Sequence, residues 1–77
     1  MTLEELSNEL LNLGVRKDAY SLEGGLPSEA YCINRLKDHW EIYYSERGLK
    51  SGLQIFKSEN EACKTFLDLI ARDTSTR

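Results

Sequence analysis

The segment Trp40-Glu41-Ile42-Tyr43-Tyr44-Ser45-Glu46-Arg47-Gly48 constrains this chain more than any other. It reads as a β-strand with large side chains on both faces, ending in a charged pair and a glycine. A strand with one face in water does not need two tyrosines beside a tryptophan. It is either buried on both sides or displays an aromatic surface to a partner.

The flanking sequence frames this strand in an α-β-β-β-α order. Leu3, Leu6, Leu10 and Leu13 recur at helical spacing behind Thr2 and Glu5, a capping-box pair, and Gly14 stands where a left-handed terminating residue is wanted. Residues 19–22 read as a short strand before the tight turn at Gly24-Gly25, and Pro27 marks a loop or sheet edge. Residues 29–37 form the next strand, with Asp38-His39 as a compact turn into Trp40. A looser turn over Arg47 to Ser51 leads to a third strand at 52–57. Ser58 is the N-cap of a last helix, with Glu61 as its capping-box partner and Ala62, Cys63, Phe66, Leu67 and Ile70 on one face. The expected class is α+β: a three- to four-stranded antiparallel β-meander with an N-terminal and a C-terminal helix, in a single domain of residues 1–77 whose tail, 73–77, frays.

Alternation assigns the faces. Trp40, Ile42 and Tyr44 share one side, which with Leu53 and Ile55 should meet the helices. Tyr43 and Phe56 then fall on the second face, together with either Tyr31 and Ile33 or Ala30 and Cys32. That second face is too aromatic to be only a solvated one.

Composition narrows the function. A chain of 77 residues buries only about 60 to 65% of its unfolded surface, leaving little volume for an enclosed substrate pocket. No apolar run approaches the roughly 20 residues of a membrane span, and Met1 leads into Thr2, Leu3, Glu4 and Glu5 rather than into a basic and apolar leader, so the cytoplasm is expected. Cys32 and Cys63 sit where small apolar side chains would serve and read as buried free thiols. The lone His39 has no metal-ligand companions, and no nucleophile with a base or Gly-rich phosphate loop can be assembled, so neither catalysis nor a cofactor is expected.

Net charge is −3, with Glu4, Glu5 and Glu9 unbalanced in the first helix. Phosphate binding needs clustered Lys and Arg, so nucleic acid is disfavoured. The element order is also that of the double-stranded-RNA-binding domain, whose second helix opens with lysines that meet phosphate. Here that place reads Ser58-Glu59-Asn60-Glu61-Ala62-Cys63-Lys64, which reverses the charge.

Four segments carry a family resemblance: Tyr20-Ser21-Leu22-Glu23-Gly24-Gly25, Glu29-Ala30-Tyr31-Cys32, Trp40 to Gly48, and Phe56-Lys57-Ser58-Glu59-Asn60-Glu61-Ala62-Cys63. Over about residues 18–70 the chain resembles the small immunity proteins of bacterial contact-dependent growth inhibition and related polymorphic toxin systems. The resemblance implies a cytoplasmic protein, monomeric or weakly dimeric when free, that binds the C-terminal toxin domain of its own system, often a nuclease, and blocks it. No metal, cofactor or membrane is implied. The expected contacts are Glu23, Glu41, Tyr43, Glu46 and Arg47, with Tyr31 and Phe56 as supporting aromatic surface. A homo-oligomeric adaptor is the first alternative, and a small duplex-RNA-binding domain the second.

Overall fold

A computed structural model describes all 77 residues. Helix α1, Leu3–Asn12, starts at the expected capping box: Thr2 Oγ1 accepts from the Glu5 amide at 3.2 Å and Glu5 Oε1 accepts from the Thr2 amide at 2.9 Å. Gly14, at φ +76°, follows the C-cap in the left-handed region. Helix α2, Glu59–Arg72, is capped by Ser58 Oγ, which accepts from the Glu61 amide at 3.1 Å. The reciprocal half of that box is missing, because the Glu61 side chain does not return to Ser58. Instead Glu59 Oε2 takes the Leu3 amide of α1 at 2.9 Å, so one carboxylate ties the two helix starts together.

The sheet has the strand order β1-β2-β3-β4, with β1 at Tyr20–Ser21, β2 at Ala30–Arg35, β3 at Trp40–Glu46 and β4 at Leu49–Phe56. It is mixed rather than purely antiparallel. β1 runs parallel to β2, pairing Tyr20 with Tyr31 and Ser21 with Cys32, while the other two pairings are antiparallel. The connection that permits the parallel pair is the 22–29 segment, longer than a hairpin turn. The turn from β3 to β4 is correspondingly tighter than the sequence suggests. Arg47 and Gly48 alone form it, at φ +52° and +74°, a two-residue turn with both central residues left-handed.

Register corrects the two faces. Ile33 pairs with Ile42, and Trp40 with Phe56, so Phe56 belongs with the helices and not with the second face. Ile55 opposes Glu41, and a bulge between Ile42 and Tyr44 sets Gly52, φ +65°, and Leu53 against Tyr43. Leu53 and Ile55 therefore lie on the face away from the helices and remain exposed. Of the two options for β2, Ala30 and Cys32 take that far face, and Tyr31 and Ile33 the helix face.

The core lies between the sheet and the two helices. Leu6, Leu10, Ile33, Ile42, Ala62, Cys63, Phe66 and Ile70 are all but inaccessible, with Trp40, Val15 and Ala19 completing the cluster. Both cysteines are free and buried. The last residues dock instead of fraying: Thr74–Thr76 form a short 3-10 turn, Thr76 is buried, and its carbonyl accepts from the Arg16 amide at 2.7 Å. No helix is long and apolar enough to cross a membrane.

Candidate protein-binding groove

The far face of the sheet is half covered by the chain's own 22–29 loop. Gly24 lies so close to β2 that a Cβ there would stand 2.6–2.9 Å from side-chain atoms of Asn34, and its φ of +70° favours glycine. The next carbonyl, Gly25 O, accepts from the Tyr43 hydroxyl at 2.6 Å. Tyr43 is thereby only 3% exposed, and burial pushes its phenol up to about 12. Glu41 is buried as well, at 6%, and its carboxylate is neutralised by Lys50 Nζ at 2.9 Å. The same ammonium lies 4.7 Å from the Tyr43 ring centroid. Glu41 and Tyr43, expected at the front of a partner surface, are a covered ion pair and a covered aromatic. Lys50 is what they present to water.

The helix face is the more open one at its Glu46 end. α2 and the core side chains cover Trp40, Ile42 and Phe56, but Tyr44 is outside the core cluster and half-buried. Two adjoining depressions share Tyr31 and Tyr44 as floor. One, of about 270 Å³, is walled by Arg16, Glu29, Asp73, Ser75 and Thr76. The other, of about 220 Å³, runs toward β4 past Tyr43, Ser51, Gly52 and Gln54, under Leu69 of α2. Together they form a groove across the end of the sheet. The Glu46-Arg47 tip, exposed on both residues, closes the same end of the β3–β4 hairpin.

Local chemistry gives the groove its shape and charge. The Tyr31 and Tyr44 rings meet edge to face, centroids 4.9 Å apart and planes at 69°. The Tyr31 hydroxyl donates to Asp73 Oδ2 at 2.8 Å, and burial together with that carboxylate pushes its phenol up to about 12. Asp73 also accepts from the Ser75 amide and hydroxyl, which hold its carboxyl below the usual range. Burial raises Tyr44 in turn, with Glu29, Glu46 and Asp73 adding to it. Glu29 enters β2 at φ +50°, a left-handed conformation that costs a non-glycine residue about 1 kcal/mol or more.

Of the seven residues expected to contact a partner, Tyr31 lines both halves of the groove, Tyr43 lines the 220 Å³ half although it is almost wholly buried, and Glu46 and Arg47 form the exposed hairpin tip beyond both halves. Glu23 is exposed on the covering loop, Phe56 packs against the core, and Glu41 is buried on the opposite face. The groove residues that the sequence did not single out are Tyr44, Glu29 and Asp73. Strand alternation alone already placed Tyr44 on the helix side. What it could not show was how far along the strand the helices reach.

β4 is a second open surface. All of its residues but Phe56 are exposed, including Leu49, Leu53 and Ile55, and its outer backbone edge has no neighbour in the sheet. No group of three or more His, Cys, Asp or Glu side chains comes together as a metal-binding set. No family model, curated protein or solved structure matches the chain.

Proposed function

We propose that the protein is a stoichiometric binding module, an immunity protein that occupies a surface of the toxin domain of its own system and so neutralises it in the cytoplasm. The observation that carries this reading is the aromatic groove at the Glu46 end of the sheet. Two tyrosines floor an open depression beside an exposed Glu-Arg turn, and Tyr and Arg are favoured anchors of protein interfaces. Such inhibition requires no catalytic residue. The contact set is Tyr31, Tyr44, Glu29, Glu46 and Arg47, with Glu41 and Tyr43 acting as support for the hairpin rather than as contacts. The acidic helices, with Glu4, Glu5 and Glu9 uncompensated in α1, steer the module toward a basic partner such as a nuclease domain.

The test is co-expression with the toxin domain encoded beside this gene, followed by size-exclusion chromatography of the mixture. A one-to-one complex that protects the host, and that Tyr44→Ala weakens at least tenfold while leaving the fold intact, is the expected result. Absence of any complex, or full protection by the Tyr44→Ala variant, overturns the reading.

The exposed apolar side chains and free edge of β4 favour a second reading, a homo-oligomeric adaptor. Light scattering on the isolated protein decides it. A stable dimer disrupted by Leu53→Lys would establish the adaptor, whereas a monomer leaves β4 as a guarded edge.

A further inference from the structure

The 270 Å³ half of the groove brings carboxylates and two aromatic rings together in one depression. Glu29 and Asp73 in its wall, and Glu46 close to Tyr44, have no basic side chain within salt-bridge distance, as is true of most carboxylates of the chain, but only these stand beside the Tyr31 and Tyr44 rings. The one arginine in the wall, Arg16, is already engaged. Its Nε pairs with Asp18 at 3.1 Å, and its Nη1 donates to the carbonyls of Ser75 and Arg77. Beneath the carboxylates lie the two tyrosine rings, and the Tyr44 hydroxyl donates to nothing in the chain, unlike those of Tyr31 and Tyr43.

We propose that this half of the groove is a socket for one arginine side chain of the protein partner. The inference rests on the binding-module reading above and names what that module recognises. A planar guanidinium stacks on a tyrosine face and donates in a fixed fork to carboxylates, which is the combination of groups that the socket offers. Size agrees. The cavity is smaller than the roughly 300–1,000 Å³ of a typical small-molecule site, and it is open at one side, as a side chain entering from another surface requires. Glu29 and Asp73 supply the charge, Tyr31 and Tyr44 the stacking surface, and Arg16 holds the 73–77 turn that forms one wall.

The socket is testable without the toxin. Uniformly ¹⁵N-labelled protein is titrated with N-acetyl-arginine N-methylamide and, in parallel, with the corresponding citrulline derivative, which keeps the shape but lacks the charge. Saturable amide shifts for residues 29–31, 44 and 73–76 with the arginine probe are expected, at least fivefold weaker with citrulline and at least fivefold weaker in Glu29→Gln. Equal responses to the two probes, shifts located elsewhere, or no saturable shift with either would overturn the socket. Circular dichroism of Glu29→Gln checks that its fold is kept. Because no toxin is present, a failed titration rejects the socket while leaving complex formation with the toxin to be judged by its own experiment.

Discussion

Tyr43 and Tyr44 are neighbours with opposite duties, and the difference follows from which atoms meet each hydroxyl. The Tyr43 hydroxyl holds the covering loop through Gly25 O, whereas the Tyr44 hydroxyl has no partner in the chain. Tyr43→Phe should therefore cost about 0.5–1.5 kcal/mol in urea denaturation, since water can replace the lost donor at the exposed Gly25 carbonyl. Tyr44→Phe should stay within about 0.5 kcal/mol of the parent. A larger loss for Tyr44→Phe would mean that its ring position depends on a contact absent from the fold. Arg47 gives a second residue-scale test, because it holds φ +52° in a turn that favours asparagine before glycine. Arg47→Asn should raise the denaturation midpoint by an amount corresponding to about 0.5–1 kcal/mol while weakening toxin binding. A stabilised variant that bound equally well would remove Arg47 from the interface.

At the scale of elements, the helices and the existence of four strands were legible because their signals are local. Thr2 with Glu5, Gly14, Ser58 and the Trp40 to Glu46 alternation each act within a few residues. The assignment of Leu53 and Ile55 to the helix side failed because it gave the helices the larger apolar set without a register for β4. The bulge at Gly52 adds one residue, and pairing of Trp40 with Phe56 then fixes the opposite parity. The exposure of Tyr43 was misjudged for a different reason. Its cover is the 22–29 loop, whose position depends on Gly24 lying against Asn34, a contact between segments ten residues apart in sequence. The tail gives a comparable case, since its polar composition suggested fraying whereas its backbone is held by the Arg16 amide and its Asp73 by Tyr31. Removing residues 73–77 should consequently lower stability by about 1–3 kcal/mol, through loss of the buried Thr76 and of the partner of Tyr31. It should also open one wall of the groove. An unchanged urea midpoint would show that the tail is dispensable.

For the molecule as a whole, stability should depend on pH in opposite senses at the two ends of the scale. Burial pushes the Cys63 thiol up to about 11, and the phenols of Tyr31 and Tyr43 up to about 12, so the fold keeps these groups protonated where the unfolded chain would lose its protons. A raised native pKa contributes stability that is complete below the unfolded value, about 8.5 for a thiol and 10 for a phenol, and is lost as pH rises through the native value. Asp73 behaves in the reverse way. Its carboxyl is held low, chiefly by Ser75 and Tyr31, so its contribution is present above about pH 4 and declines as the pH falls through the native value. Urea midpoints should accordingly be level between about pH 5 and 8, fall from about pH 9 to 12, and fall again in acid. Cys63 provides an independent reading of the alkaline side, because a buried thiol reacts only when the fold opens. In a Cys32→Ala background its modification by an aromatic disulfide reagent at pH 8 should be slow in the native protein and accelerate with urea in step with unfolding. Rapid modification without denaturant would place Cys63 in contact with water. That outcome would contradict the packing of α2 on the sheet, on which the position of the groove depends.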